Sequence, residues 1–178
     1  VFLLSFGILC SPSQGGNRDY AGDAFLKADS VPHVYDDSQI VSTYGTGKTS
    51  RSNDGICTRT YSDKQKRWVS FSGDCDLSPK ERTVDEIMVG RIPVPKSGYQ
   101  YRGNLTGIKL LGVSLGDTRQ KAMMAAKGRY GMKVTIEHLH GQRVEQIFFL
   151  YSEEDTNLYY RFLVSSGKVV AFAMGVTE

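Results

Sequence analysis

Two histidines separated by one residue form the clearest metal-ligand pattern in the chain. His138 and His140 stand in a run rich in β-branched residues, and alternate side chains of an extended strand point to the same side. Two imidazoles placed in this way can hold Zn²⁺ or Cu²⁺ when a third ligand, Glu145 or His33, comes from elsewhere. The pair also lies beside the turn signal Gly141, where polar residues are expected in any case. We therefore assign no metal ligand here, and keep a metal-binding protein or metal-dependent enzyme as the alternative function.

A second pattern resembles part of a phosphate-binding loop. Gly47, Lys48 and Thr49 have the order that such loops use to cradle phosphates, but Ser42 stands where the motif needs its first glycine. We interpret residues 44–50 as a solvated loop. The chain has only 3 histidines and lacks a Gly-x-Ser-x-Gly elbow, so no Ser-His-Asp triad can be assigned. The sequence favours a protein that is not an enzyme and has no cofactor.

Composition limits the class of protein further. The 178 residues are 40% hydrophobic and 23% charged, which is typical of a globular protein able to bury a core without a metal. The formal net charge is +3, from 22 basic and 19 acidic residues. Binding to nucleic acid needs a concentrated basic stripe, so we expect no nucleic-acid partner.

The N-terminal segment predicts export. An uncharged apolar run, VFLLSFGILC, is followed by the polar, turn-rich SPSQGGN. Such a run is too short to cross a bilayer and is typical of a secretory signal. We predict that residues 1–14 are a signal segment and that the protein is periplasmic or extracellular. Two alternatives stay open. In the first, Cys10 carries lipid in a lipoprotein, which is the one membrane attachment we consider, although Leu9 is larger than the residue that usually precedes such a cysteine. In the second, residues 2–9 form a buried strand and are not a signal.

The other two cysteines predict a disulfide. Cys57 and Cys75 flank two strand-like runs around the polar turn at residues 63–66, and a hairpin would bring its ends together. An even number of cysteines in an exported chain is typical of a disulfide. The alternative is a pair of reduced core cysteines.

The second half of the chain predicts one helix followed by four strands. Asp117 is an expected N-cap with Gln120 three residues later, and the helix should end near residues 128–131. Four runs rich in β-branched and aromatic residues follow, at residues 132–138, 144–151, 158–164 and 168–174. This order predicts an antiparallel four-stranded meander.

The first half shows the same signals in the same order. A short helical pattern opens at Asp37 and closes at Tyr44-Gly45, and the turn-like pair Ser72-Gly73 corresponds to Ser166-Gly167. We predict an α+β fold of two related units, each a helical segment packed on an antiparallel four-stranded sheet. The predicted units span residues 15–95, with the disulfide, and 96–178.

One segment carries a resemblance to a known module. Residues 106–117, TGIKLLGVSLGD, followed by a helix ending at Tyr130-Gly131 and by a meander, resemble the tandem module of β-lactamase inhibitor proteins and of small outer-membrane assembly lipoproteins. The family usually ends this helix in Leu-Gly, whereas this chain has Tyr-Gly. The resemblance implies an α+β exported binding protein without an active site. It names no partner, because the module serves unrelated roles.

Aligning the two Ser-Gly pairs predicts two faces for the sheet. One face, to be buried under the helices, is predicted to carry Trp68, Ile87, Val89, Phe162, Phe172 and Met174. The opposite face is predicted to be open, and a one-residue slip would exchange the two faces. Arginine and aromatic anchors on an open face would suit another protein as partner. The predicted partner-binding residues are Arg67, Val69, Phe71, Tyr159, Arg161 and Leu163, with the loop at residues 74–83 as a second element. A merely solvated face is the alternative.

Overall fold

The computed structural model describes residues 20–26, 35–91, 105–151 and 157–176, which form three short helices and one eight-stranded sheet. The helices are α1 (Tyr20–Leu26), α2 (Asp37–Tyr44) and α3 (Arg119–Ala126). The strands are β1 (Lys48–Arg51), β2 (Ile56–Ser62), β3 (Trp68–Asp74), β4 (Glu86–Gly90), β5 (Lys133–Leu139), β6 (Gln142–Leu150), β7 (Leu158–Ser165) and β8 (Lys168–Val176). The predicted α+β class is confirmed. The predicted signal segment, Cys10 and His33 lie outside the described residues.

The sheet is antiparallel throughout, in the order β1-β2-β3-β4-β8-β7-β6-β5. The four runs predicted as strands in the second half are β5 to β8, within a few residues at each end. The segment predicted as a solvated loop at residues 44–50 instead contains the start of β1, whose Lys48 pairs with Thr60 of β2. This edge strand is short and fully exposed, so it lacks the hydrophobic alternation that identifies a strand in sequence.

Local capping explains where the two longer helices begin. The side chain of Asp36 accepts a hydrogen bond from the Gln39 backbone, and the Gln39 side chain accepts one from the Asp36 backbone, which forms a capping box. In the second half Thr118 is the N-cap of α3. The predicted N-cap, Asp117, instead accepts from the Ser114 backbone and from the Lys121 ammonium. Both helices therefore begin within one or two residues of the predicted position.

The main hydrophobic core lies between the helices and one face of the sheet. It joins Phe25, Ile40 and Ala122 of the three helices to alternate side chains of the strands. Phe25 packs edge-on against Phe172 with ring centroids 5.2 Å apart. The strand residues of this core include Val69, Phe71, Ile87, Val89, Phe149, Tyr160, Phe162, Phe172 and Met174.

The predicted faces are wrong for β3. Val69 pairs with Val89 and Phe71 with Ile87, so Val69 and Phe71 belong to the helix-covered face, whereas Trp68 belongs to the opposite one. The prediction aligned Ser72-Gly73 with Ser166-Gly167. Ser166 and Gly167 form the turn between β7 and β8, but Ser72 and Gly73 lie inside β3. That mismatch shifted the predicted register of β3 by an odd number of residues, which exchanges its two faces. Ile87, Val89, Phe162, Phe172 and Met174 lie on the predicted face.

The sheet is rolled around the face that the helices leave free. Trp68 lies on β3, and His140 lies in the turn between β5 and β6, yet their ring centroids are only 5.2 Å apart. Three strands separate β3 from β6, so a flat sheet would hold them about 19 Å apart. A second small core fills this closed end, and consists of Trp68, Met88, Leu139, Val144, Leu163, Val170, Ala171 and Ala173.

The predicted disulfide is present. Cys57 on β2 and Cys75 just after β3 are bonded, with their Cα atoms 4.9 Å apart. The bond joins the open end of the β2–β3 hairpin, opposite its turn at residues 63–67. None of the described helices has the length and apolarity needed to cross a membrane.

Candidate protein-binding groove

The face of the rolled sheet that the described helices leave uncovered forms one large groove. Its volume is about 1100 Å³, and its walls come from both ends of the sheet. We call this surface the groove. Its central residues are Thr58, Ser70, Ser72, Glu86, Met88, Tyr159 and Arg161, and its rim includes Asp54, Ile56, Asp74, Asp76, Asp85, His138 and His140.

Two glycines let aromatic rings lie flat across neighbouring strands of the groove. Trp68 pairs directly with Gly90, and a Cβ atom at position 90 would overlap the indole ring. A Cβ atom at position 175 would lie 2.5 Å from the phenol oxygen of Tyr159. Because both glycines are opposite large rings, the rings fold down onto the sheet instead of standing up from it. The floor of the groove is therefore shallow and close to the backbone.

A charged cluster ties the two halves of the sheet together at the centre of the groove. Glu86 on β4 accepts a 2.7 Å hydrogen bond from the Arg161 guanidinium and a 2.7 Å hydrogen bond from the Tyr159 hydroxyl, both on β7. The Gln146 amide oxygen accepts a 3.2 Å hydrogen bond from Nη1 of Arg161. Strand β8 lies between β4 and β7, so these bonds span a whole strand.

Burial and charge act in opposite directions on this cluster. Burial by itself would lower the pKa of Arg161, but Glu86, Tyr159 and Glu137 together outweigh it, and the net pKa is raised. Burial and the Glu86 charge both raise the pKa of Tyr159. Arg161 therefore stays a cation and Tyr159 stays a neutral donor. Nε of Arg161 is buried and has no hydrogen-bond partner among the described residues.

Hydroxyl groups line the half of the groove formed by β2 and β3. The Thr58 and Ser72 hydroxyls are 3.0 Å apart and hydrogen-bonded. Thr60 and Ser70, one row further in, are paired in the sheet and only 6% exposed. Small polar side chains leave this wall open and able to form hydrogen bonds with a ligand.

The rim of the groove is acidic. Asp54, Asp74 and Asp85 line it, and none of the three forms an ion pair within the described part of the chain. Asp76 lines the same rim and pairs with Arg51 through an exposed contact of 3.0 Å. Together with Glu86 the groove holds five carboxylates, whereas Arg161 is the only arginine or lysine that lines it among the described residues.

The structure brings some of the predicted partner-binding residues into the groove and excludes others. Arg161 and Tyr159 line it. Leu163 lies on the same face, but it is 1% exposed within the second core. Val69 and Phe71 are buried beneath the helices, so neither contacts a partner without unfolding. The placement predicted for these two residues is wrong.

Arg67 also lies away from the groove. It forms a 2.6 Å ion pair with Asp63 in the β2–β3 turn and donates a 2.8 Å hydrogen bond to Thr106. Its neighbours are Gln65, Arg91 and the segment at residues 105–115. Arg67 therefore fastens a turn to a loop, at a place separate from the groove.

The loop at residues 74–83 is held rigidly beside the groove. Arg82 donates hydrogen bonds to the carbonyls of Asp74 and Leu77 and forms a 3.2 Å ion pair with Asp37. Asp37 also accepts two 2.7 Å hydrogen bonds from Arg59. The loop thus presents Asp74 and Asp76 at the rim in a fixed position.

The two histidines proposed as metal ligands occupy different environments. Both side chains are exposed: His138 lies near the end of β5, and His140 lies in the following turn with its ring edge-on to Trp68. Burial, and then the nearby Lys48 charge, lower the pKa of His140. Glu145 is engaged by Arg119 at 2.6 Å. The described residues contain no group of three or more metal-binding side chains.

The comparisons with known proteins give little information. No family model matches the chain, and no curated protein matches it. Among solved structures, the chain is similar to a DUF4309 family protein, YjgB, from Bacillus subtilis. The TM-score is 0.47 and the identity 10%, over 90% of this chain and 95% of that chain. Similarity at this level supports no statement about function.

Proposed function

We propose that this protein is an exported binding module that holds another protein in its groove, without catalysing a reaction. The observation that carries the proposal is the groove itself, a large concave surface on the face of the sheet that the described helices leave uncovered. A floor of flat rings and small side chains gives a partner close access to the sheet. An inhibitor or an accessory of envelope assembly would both use such a surface.

The fixed geometry of the groove supports a binding role. The hydrogen bond between Glu86 and Arg161 ties two strands of the floor together. The ion pairs of Asp37 with Arg59 and Arg82 tie the loop at residues 74–83 to the sheet. A surface that is already ordered loses little conformational entropy on association. The hydroxyls of Thr58 and Ser72 add polar groups that can bond to a partner.

We further propose that the chain consists of two related units, residues 15–95 and 96–178, as in the tandem module of β-lactamase inhibitor proteins and small outer-membrane assembly lipoproteins. The strand order supports this proposal, since β1 to β4 run in sequence across the sheet and β8 to β5 continue in reverse. A helix precedes each set, α2 before β1 and α3 before β5. The units would meet where β4 pairs with β8.

Export is supported by the disulfide between Cys57 and Cys75. Disulfides persist in oxidising compartments and are rare in the cytosol. In this proposal residues 1–14 direct the chain across a membrane, and Cys10 either leaves with the signal or carries lipid. Mass spectrometry of the mature N-terminus distinguishes these two outcomes.

Site-specific photocross-linking tests the proposed function. A photoreactive benzoylphenylalanine at position 58 stands in the groove, and the same residue at exposed position 120 on α3 is the matched control. We expect one protein from an envelope or secreted extract to be cross-linked at position 58 and not at 120, and to be competed by unmodified protein. Equal adducts at both positions, or none at 58, would contradict the proposal.

A further inference from the structure

We propose that the groove receives a cationic segment of the partner polypeptide, with lysine or arginine side chains directed at the rim carboxylates. This inference rests on the proposed function and adds the chemistry of the partner. Its starting point is a contrast of charge. The whole chain has a formal net charge of +3, yet the groove is lined by five carboxylates and a single guanidinium.

The distribution of ion pairs makes the rim attractive to a cation. The one guanidinium of the groove, Arg161, is held against Glu86 at 2.6 Å, so these two charges largely neutralise each other. Asp54, Asp74 and Asp85 have no such partner in the described part of the chain. Complementary charge at an interface speeds association and rejects partners of the wrong sign.

A second observation, independent of the rim charges, favours a polypeptide over a small cation. The groove volume of about 1100 Å³ exceeds the usual size of a small-molecule pocket. Its wall also carries the Thr58 and Ser72 hydroxyls. These can bond to the carbonyl oxygens of a peptide main chain, whereas a polyamine carries no such oxygens.

The same residues disfavour a bound metal as the cation of the rim. The described residues contain no group of three or more histidine, cysteine, aspartate or glutamate side chains arranged to hold a metal ion. Asp54, Asp74 and Asp85 come from three different segments, just before β2, at the end of β3 and just before β4, which suits separate ammonium or guanidinium groups.

Fluorescence anisotropy with a defined probe tests the inference. The probe is a fluorescein-labelled octapeptide of alternating alanine and lysine, titrated with the protein in 25 mM and in about 300 mM NaCl, where exposed charges are strongly screened. The test variant is Asp54→Asn with Asp85→Asn. The matched control, Glu81→Gln with Glu145→Gln, removes the same charge outside the groove.

We expect the wild-type protein and the control to bind the peptide alike at low salt. The groove variant should bind at least tenfold more weakly, and high salt should abolish the difference between variants. Circular dichroism checks that both variants fold, which the isosteric changes favour. A second labelled octapeptide, of alternating alanine and glutamate, is the control for charge. The inference would be overturned if both variants lost binding equally, if the wild type bound no lysine peptide at low salt, or if it bound the glutamate peptide equally well.

Two further outcomes separate this inference from its alternatives and from the proposed function. Spermine should displace the peptide only at far higher concentration, and displacement at equal charge concentration would show a small-cation site instead. A photocross-linked partner whose contact surface carries no lysine or arginine would overturn this inference and leave the proposed function standing. Absence of any partner adduct, with the lysine peptide still bound by the wild type and not by the groove variant, would contradict the proposed function and leave the cation preference of the groove standing.

Discussion

His140 packs edge-on against Trp68 with 5.2 Å between ring centroids, although its β5–β6 turn and strand β3 lie far apart in the sheet order. This contact closes one end of the groove. It depends on the curvature of the whole sheet, because no local hydrogen-bond ladder joins the β5–β6 turn to β3.

The Trp68–His140 contact predicts a pH dependence. Burial and Lys48 lower the pKa of His140, so the unfolded chain binds a proton at a pH where the folded chain does not. The contribution of neutral His140 to the free energy of unfolding is therefore fully present above the pKa of the unfolded chain, about 6.5. It is lost as the pH falls through the lower pKa of the folded protein. We expect the melting temperature of the wild type to fall between pH 7.5 and 5. His140→Asn should reduce that fall, because the Asn side chain does not titrate. Asn also tolerates the positive φ at this position, so the turn is kept.

His138→Asn provides the control for this prediction. His138 is exposed, two residues away on the same strand end, and its replacement should leave the pH dependence as in the wild type. Identical pH curves for wild type and His140→Asn would show that the titration of His140 does not affect stability.

The carboxylate of Asp37 is expected to be critical for folding. It is buried and meets Arg59 at 2.7 Å and Arg82 at 3.2 Å, and it raises the pKa of Arg59. Asp37→Asn leaves two largely buried guanidiniums without a counter-charge, which should cost about 3 kcal/mol of unfolding free energy. Asp76→Asn breaks the exposed pair with Arg51 and should cost less than about 1 kcal/mol. Urea unfolding measures both changes, and similar losses would contradict the prediction.

The disulfide should stabilise the hairpin that carries one wall of the groove. It closes a segment of 18 residues, for which the chain-entropy model gives about 3 kcal/mol. We expect Cys57→Ala with Cys75→Ala to lower the melting temperature. Dithiothreitol should lower that of the wild type to a similar value and leave the variant unchanged. A wild-type protein insensitive to verified reduction would disprove the prediction.

Gly90 should be required for steric reasons alone. Its φ is not positive, so alanine suits the backbone, but its methyl group would overlap the Trp68 indole. Gly90→Ala should destabilise the fold by about 1–3 kcal/mol. In the background of Trp68→Leu the same change should cost little, since the obstructing ring is gone. A double-mutant cycle measures the coupling, and additive effects would show that the overlap is relieved elsewhere.

The sequence predicted the strands of the second half and the disulfide well because these have strong local signals. Residues 158–174 combine β-branched and aromatic runs with a Ser-Gly turn, and the structure places β7 and β8 there. Strand β1 and helix α1 were not predicted. The strand is exposed along its length, and the helix has seven residues, too short for a clear period.

The groove was only half predictable. The sequence placed Arg161 and Tyr159 on the free face correctly, since the alternation along β7 determines it. The error on Val69 and Phe71 arose from a Ser-Gly pair that does not form a turn. The rim position of Asp54 and Asp85 had no local signal, because it depends on how far the sheet rolls.

The Trp68–Gly90 contact also has an evolutionary consequence. As long as the indole occupies the space that a side chain at position 90 would need, the two positions cannot vary independently. Descendants of the same ancestor should keep tryptophan and glycine together or exchange both for a smaller ring and a larger neighbour. This correlated pair would identify distant members even where overall identity has faded.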